Sequence, residues 1–429
     1  MVVAGNGRGG PGVRTYLTFL WRCFKLSFVG DGRYYAWMFF LTVFVLLGIN
    51  AYCKQLVQGL ATTGMTDQVS WGFYIANFTF LVGMAAAAVM LVIPVYIYKN
   101  RELHDLVIFG ELFAVAAIVM AMLFVTVDLG RPDRFHHLLL RFNFPISMLT
   151  WDVLVLNGYL LLNLHICGYL VYCAYRRREP SRVFYIPFVF VAIVWAISIH
   201  TVTAFLYSGL GGRPFWNSAV VAPRFLASAF AAGPAFLILT LSVLRRYTAY
   251  DVPARAFMTL RNVVTVALTI NMFLLGSEAF TEFYTDSAHV ASARYLFLGL
   301  HGHNALVPWI WTAIGLNVVA MVLLYSPVSR RLPVLLAACV MLIVGIWIEK
   351  GMGMIVPAFV PTPLGEIVEY LPTVNESLVT AGIWAGGLLI FTILVRVTVP
   401  VLSGQLTMDR EYSPGTPALP RAAHAEQTP

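Results

Sequence analysis

Ten stretches of this sequence are each long and apolar enough for a helix to cross the hydrocarbon core of a bilayer, which takes about 20 residues. They cover residues 34–53, 71–98, 106–128, 146–175, 184–208, 222–244, 258–283, 305–325, 331–348 and 375–398. In lipid every backbone N–H and C=O has to bond within the chain, so such stretches span as helices. Composition agrees: of 429 residues 59% are hydrophobic and 11% charged, against about 25% charged in a soluble domain. So little charge cannot cover a water-soluble particle of this size. A soluble enzyme, a disordered chain and a nucleic-acid binder are thereby excluded, and the net charge of +8 needs another explanation.

That explanation is topology. Lysine and arginine concentrate on the cytoplasmic side of membrane proteins, and 20 of the 28 basic residues fall in alternate loops and the two ends of the chain. Arg8, Arg14, Arg22, Lys25 and Arg33 form a basic leader, and Arg176, Arg177, Arg178 and Arg182 one loop. Lys54, Arg131, Arg134, Arg141, Arg213, Arg224, Arg294 and Lys350 are assigned to the opposite, outer side. The expected protein is an all-α polytopic membrane protein with about ten transmembrane helices and both termini cytoplasmic. Residues 1–33 form a basic leader without a small-residue cleavage site, 34–400 the transmembrane domain, and 401–429 a disordered cytoplasmic tail.

Charge this scarce makes each buried polar group informative, because an ionisable side chain in hydrocarbon costs about 2.5–3.5 kcal/mol even on the lenient scale. With ~1.5 Å of rise per residue, Asn77, Asp152, His200 and Glu278 fall at similar depths in the outer half of their helices. Asp128 and Glu282 stand at helix mouths in the same layer. Asn77 also fits a plain helix–helix hydrogen bond, and a lone His such as His200 is commonly a satisfied packing residue. For Asp152 and Glu278 the cost of burial favours function. The Asp128-Leu129-Gly130-Arg131-Pro132-Asp133-Arg134-Phe135-His136-His137 loop is expected to roof this layer, with Arg131, His136 and His137 facing an anionic or quinonoid head group. Its plain alternative is a turn that stops a helix, with Asp128 and Arg131 as a surface pair. A second outer turn, Gly212-Arg213-Pro214-Phe215-Trp216, repeats the chemistry.

Five cysteines without a C-x-x-C pair supply neither an iron–sulfur cluster nor a structural zinc site. No metal site is expected. His165 and His200 lie about 16 Å apart in depth, too far to share a haem iron. A quinone needs an apolar slot and proton-exchanging side chains at the ring. Phe73, Tyr74, Phe78, Phe80 and Trp151 beside Asn77, Asp152 and His200 supply both.

The motifs Trp71-Gly72-Phe73, Asp128-Leu129-Gly130-Arg131-Pro132, Trp151-Asp152, Gly212-Arg213-Pro214-Phe215-Trp216, Ala222-Pro223-Arg224-Phe225-Leu226-Ala227-Ser228, Glu278-Ala279-Phe280-Thr281-Glu282-Phe283-Tyr284 and Trp347-Ile348-Glu349-Lys350-Gly351-Met352-Gly353 resemble the polysulfide-reductase/NrfD family of membrane subunits. Within it the chain looks like the ten-helix branch that includes DsrP of the sulfite-reduction-associated Dsr complex, HmcC-type subunits and the quinone-linked subunits of Alternative Complex III. The resemblance covers about residues 34–400. It implies two four-helix bundles, helices 2–5 and 6–9, flanked by helices 1 and 10, in a bacterial or archaeal cytoplasmic (inner) membrane. It also implies menaquinone or another quinone at an outer-side pocket, no haem or iron–sulfur cluster in this chain, and a periplasmic ferredoxin-like iron–sulfur subunit as electron partner. A Dsr-like complex would add membrane haem b, cytochrome c and cytoplasmic iron–sulfur subunits and a link to sulfur-compound metabolism. In that frame Asp152, His200 and Glu278 are the expected catalytic residues. Asn77, Phe73, Tyr74, Trp151, Asp128, Arg131, His136, His137 and Glu282 are the expected cofactor contacts.

Two other classes stay open at this stage. A secondary transporter or proton channel would use the same buried carboxylates, though its site belongs near the midplane. A structural anchor with a degenerate site would need none of them.

Overall fold

The computed structural model describes residues 13–85, 106–248, 250, 252–285 and 290–413. The far half of the second apolar stretch, the loop bearing Lys99, Arg101, His104 and Asp105, the leader before Val13 and the tail after Ser413 lie outside the described residues. Twelve helices carry the fold: α1 (Val13–Ser27), α2 (Gly32–Gln58), α3 (Phe73–Ala85), α4 (Val107–Asp128), α5 (Met148–Tyr175), α6 (Arg182–Ser208), α7 (Val221–Tyr247), α8 (Ala254–Thr285), α9 (Val290–Phe297), α10 (Val307–Tyr325), α11 (Leu332–Lys350) and α12 (Val374–Leu402). Among the described residues nine helices are long and apolar enough to cross a membrane, and α3 is the described start of a further apolar stretch. No named strand occurs among the described residues.

Local chemistry sets the helix ends. Asp31 caps α2 by accepting a hydrogen bond from the Tyr34 amide at 2.9 Å, and Gly59, at φ 76°, ends it. Proline stands in the first turn of both α10 and α11, where its missing N–H costs nothing. Thr373 and Glu376 form a reciprocal capping box on α12.

The helices close into two rings. α3, α4, α5 and α6 pack cyclically on one another, as do α7, α8, α10 and α11. The rings meet where α3 and α6 lie against α7 and where α3 reaches α11. α2 and α12 pair closely, and α12 leans on α4 and α5, giving the flanked two-bundle arrangement. The α2–α12 contact depends on two glycines. A Cβ on Gly48 would stand 2.6 Å from the Gly382 Cα, and one on Gly382 2.7 Å from the Gly48 Cα. Small residues let membrane helices approach this closely. Gly48→Val is expected to force the pair apart and cost about 1–3 kcal/mol, read as a lower melting temperature of the purified protein.

Three segments differ from the sequence expectation. Within the leader, α1 is an amphipathic helix: Phe19 and Leu26 are buried, while Leu17, Leu20, Trp21 and Phe24 on the opposite side are exposed, a pattern suited to a helix lying in the membrane interface. The first part of the 401–429 segment is ordered, because Arg22 holds it. Its guanidinium donates to the Thr407 and Met408 carbonyls at 3.1 and 2.9 Å and to the Tyr175 hydroxyl at 3.0 Å. The 349–374 segment does not begin as an outer loop. After α11 the chain makes a short helix, Met352–Ile355, and a 3-10 turn, Val356–Phe359, and every residue from Gly351 to Val360 is buried. This plug sits against α3; its apolar side chains find more contact between the bundles than at a surface.

Candidate functional site

The polar groups expected in one layer separate into two clusters, one per bundle. In the first, α5 contributes Asp152 and α6 contributes His200 and Thr203, three residues apart and therefore on one face. All three are buried. The Thr203 hydroxyl donates to Asp152 Oδ1 at 2.6 Å. His200 Nδ1 lies 2.7 Å from the Ala196 carbonyl, and its Nε2, also buried, has no hydrogen-bond partner. One turn further along α6, the Tyr207 hydroxyl meets Thr79 Oγ1 of α3 at 2.5 Å. The carboxylate thus has a single side-chain donor, and the imidazole on the adjoining helix keeps one ring nitrogen without a hydrogen-bond partner. Such a pair can accept and pass protons.

The second cluster is an ion network around Glu349, which is fully buried. Arg224 of α7 donates to Glu349 Oε1 through Nη2 at 3.0 Å and Nε at 3.3 Å. Its other terminal nitrogen is paired with Glu278 of α8. Asn271 of α8 and Asn317 of α10 donate to Glu349 at 3.2 and 3.1 Å. Gly345 makes the last contact possible, since a Cβ there would collide with the Asn317 side chain. Next to Glu349, the Lys350 ammonium sits 4.4 Å from the centre of the Phe225 ring and has no hydrogen-bond partner. Alongside this cluster an apolar groove of about 450 Å³ opens between α8, α9 and α10, lined by Leu275, Gly276, Ala279, Phe283, Phe297 and Trp311 among others.

Between the bundles stands an aromatic box. The second Gly-Arg-Pro turn drives Trp216 inward, where its indole donates to the Met354 carbonyl of the plug at 2.8 Å. Trp71 stacks on it at 5.7 Å between ring centres, with Tyr207 and Phe359 at 5.3 and 5.4 Å. The Arg213 guanidinium lies 4.3 Å over Phe359. This turn is therefore part of the packing between the bundles.

Several expected cofactor contacts are committed elsewhere. Asn77 Oδ1 accepts from both Trp347 and Trp384 indoles at 3.0 and 2.9 Å, and its amide donates to the Phe73 carbonyl. It braces α3 to α11 and α12, and its side-chain carbonyl is fully taken. Phe73 packs edge-on against Trp347, the Tyr74 hydroxyl donates to Gln55 at 2.7 Å, and the Trp151 indole donates to the Pro145 carbonyl at 2.8 Å. Arg131 is an exposed bidentate partner of Asp133 at 3.0 Å, not of Asp128. His136 and His137 stay exposed, their rings tilted against each other with centres 4.4 Å apart. Asp128 Oδ1 is buried without a hydrogen bond, and Glu282 stands half-buried one turn beyond Glu278 on α8.

The residues that sequence reasoning left out are Arg224, Glu349, Lys350 and Glu376. Arg224 and Lys350 were counted with the outer-side charges, Arg224 at the outer end of the 222–244 stretch and Lys350 beyond the 331–348 stretch, yet both lie within helices and are buried. The signal for them was their place in the Ala222-Pro223-Arg224 and Trp347-Ile348-Glu349-Lys350 runs, where charge interrupts apolar sequence. Glu376 ties three segments together. Its carboxylate accepts from the Gly64 amide and the Tyr370 hydroxyl, both at 2.7 Å, while Tyr370 in turn accepts from the Phe73 amide at 2.7 Å. Burial, and then the neighbouring Glu376 charge, push the Tyr370 hydroxyl well above its ordinary range, so it stays a donor. Tyr370→Phe, which strands the Phe73 amide and one carboxylate oxygen, is expected to cost about 1–3 kcal/mol in a thermal melt.

Comparison with known proteins bears on the whole architecture. The family profile described as polysulphide reductase, NrfD, matches residues 61–357, which include both clusters and most of the plug. Among curated proteins, the chain is 26% identical to a putative dimethyl sulfoxide reductase membrane subunit of Halobacterium salinarum, across 93% of this chain and 95% of that one. It is 22% identical to the Hdr-like menaquinol oxidoreductase integral membrane subunit of Archaeoglobus fulgidus, across 86% and 94%. It is also 22% identical to a selenate reductase subunit of Mesobacillus selenatarsenatis, across 88% and 97%. A profile match over more than half of the chain, on a fold of membrane helices with the motif residues at its centre, shows that the chain belongs to the NrfD polysulphide reductase family.

Proposed function

We propose that this chain is the quinone-reactive membrane subunit of a respiratory redox complex, exchanging electrons between a quinone, menaquinone being the expected one, and an iron–sulfur subunit docked at the outer face. The observation that carries the reading is the buried Asp152–Thr203 pair with, on the helix face of Thr203, the His200 imidazole, bonded through Nδ1 to the Ala196 carbonyl and with Nε2 left without a hydrogen-bond partner. Quinol oxidation releases two protons with two electrons, and the ring needs proton acceptors beside it. The carboxylate and the imidazole are such acceptors, and they hold or move protons without carrying electrons. The names of the relatives, a menaquinol oxidoreductase subunit and reductase subunits, point to the same class of complex. The orientation with both termini cytoplasmic, the inner-membrane location and the sulfur-compound link belong to this proposal. So do the further haem and iron–sulfur subunits.

The apolar groove beside Glu278 favours a second position for the quinone, with its ring toward the second cluster and its isoprenoid tail along α8 and α10. Purification of the complex with its partner subunits decides the matter. Extractable quinone and quinol-dependent reduction of the partner are the expected results. A complex that lacks both, and instead exchanges a substrate across liposomes, would move the chain to the transporter class. Glu278→Gln with unchanged quinone content keeps the ring in the first bundle; loss of quinone in that variant moves it to the groove.

A further inference from the structure

At the far end of α5 from Asp152 the chain runs Arg176-Arg177-Arg178, and Arg182 opens α6. The Arg177 and Arg178 amides bond back to the Ala174 and Cys173 carbonyls at 3.0 and 3.1 Å, a Schellman turn that fixes these cations at the helix end. Nearby arginines act as clamps, Arg22 on the C-terminal segment and Arg396 on the Val29 carbonyl at 2.8 Å. By contrast, none of the ion pairs among the described residues includes an arginine of this turn. Arg177, Arg178 and Arg182 are exposed, whereas Arg176 is half-buried and its Nε is covered without a hydrogen-bond partner. One turn earlier on the same face, the Tyr172 hydroxyl is also covered and also unpartnered. The Arg176 guanidinium lies 5.7 Å from the centre of that ring. A cation at a helix C-terminus is favourable by itself. That accounts for the charge but not for two covered donors without an acceptor, since buried polar atoms are nearly always bonded.

Beside these donors the surface is apolar and faces outward. His165, Tyr169, Tyr172 and Arg176 follow one another at helical spacing on one face of α5. Phe184 and Phe188 of α6, 56% and 40% exposed, pack on Tyr169 and His165 with ring centres 5.3 and 4.4 Å apart. On the other flank Tyr16 and Phe19 of α1 meet the Tyr172 ring, both at 5.3 Å. We propose that the Arg176 guanidinium and the Tyr172 hydroxyl donate to the headgroup phosphate of an anionic phospholipid, whose acyl chain runs down the aromatic seam between α5 and α6. A phosphate accepts several hydrogen bonds at once, and the guanidinium fork matches its geometry. Arg177, Arg178 and Arg182 add the positive potential that draws acidic lipids to a membrane protein. A soluble anion would use the donors but not the seam. A zwitterionic lipid would bring its own ammonium against three further arginines. Residues 1–12, which precede α1, contain no acid to take the place of the phosphate. The site lies about 36 Å along the helix axis from Asp152 and does not depend on the quinone chemistry.

The test titrates the purified protein in neutral detergent with dioleoyl phosphatidylglycerol, with dioleoyl phosphatidylcholine and with inorganic phosphate. Bound lipid is counted by native mass spectrometry, and the melting temperature is followed in parallel. Phosphatidylglycerol is expected to be retained at one site per chain and to raise the melting temperature, and the other two to do neither. Arg176→Gln and Tyr172→Phe are each expected to weaken that binding roughly tenfold or more. Arg176→Lys keeps the charge but loses the fork, and should bind nearly as weakly as Arg176→Gln. Arg245→Gln with Arg246→Gln removes two charges from the last turn of α7 and should leave the retained lipid in place. Equal retention of phosphatidylcholine, or wild-type binding in both Arg176→Gln and Tyr172→Phe, would overturn the site. So would a loss in the α7 variant as large as that in Arg176→Gln, which reduces the effect to general attraction between a basic surface and acidic lipid. Stabilisation by inorganic phosphate equal to that by phosphatidylglycerol assigns the donors to a soluble anion and removes the lipid. Tyr172→Phe keeps the ring packing and loses only the hydroxyl, so it carries the test if Arg176→Gln does not assemble.

Discussion

Replacing Arg224 with methionine is expected to destabilise the second bundle by about 3–5 kcal/mol, enough to prevent accumulation in the membrane. The guanidinium is the shared partner of Glu278 and Glu349, and Glu349 is wholly out of contact with solvent. Removing it leaves two carboxylates facing each other in a low-dielectric interior, with only the Asn271 and Asn317 amides still donating to one of them. The loss of stability comes mainly from those stranded charges, so it should be largely reversed by neutralising them. Arg224→Met combined with Glu278→Gln and Glu349→Gln is expected to recover most of the yield and melting temperature of the purified protein. A single variant as stable as the wild type would show that the acids are already neutral without their partner.

Asp152→Asn is expected to lower quinol-dependent reduction of the iron–sulfur partner by about two to four orders of magnitude while bound quinone is retained. The substitution preserves size and can still accept the Thr203 hydrogen bond, so packing of α5 on α6 changes little. What it removes is the ability to take a proton. Thr203→Val, which deletes the donor and leaves the carboxylate, should have a smaller effect and shift the pH profile of the reaction more than its maximum. Full activity in Asp152→Asn would take Asp152 out of the site and leave the second cluster as the place to look for the chemistry.

Helices and their order were legible from the spacing of apolar runs, because the bilayer imposes one length and one secondary structure on each crossing. Burial of Asp152 and His200, and the near-burial of Glu278, were legible for a related reason: a polar residue deep in a spanning segment has nowhere else to go. Their partners were not. The Thr203 donor is an ordinary hydroxyl on an apolar helix, and nothing in sequence separates it from Thr201, which is bonded to its own backbone. Asn77 shows the opposite failure. A buried amide at the right depth looked open to a ligand, and only the approach of Trp347 and Trp384, 270 and 307 residues away in sequence, shows that its carbonyl is occupied.

Lys350 and Arg224 mark the boundary most clearly. Counting basic residues orients a membrane protein because charges usually remain in loops, and by that rule both belonged outside. They lie inside because Glu278 and Glu349 come from two other turns of the fold to meet Arg224, and because Phe225 offers a ring to Lys350. Sequence alone determined that this chain spans a membrane, roughly where it does so, and which acids are too costly to bury without a reason. Tertiary structure decided which charges neutralise each other, that the polar layer is two clusters and not one, and that residues 351–360 plug the space between the bundles. The physical reason is the range of the interactions. Hydrophobic length acts within one segment, whereas pairing of buried charges and filling of space depend on which segments the packing brings together.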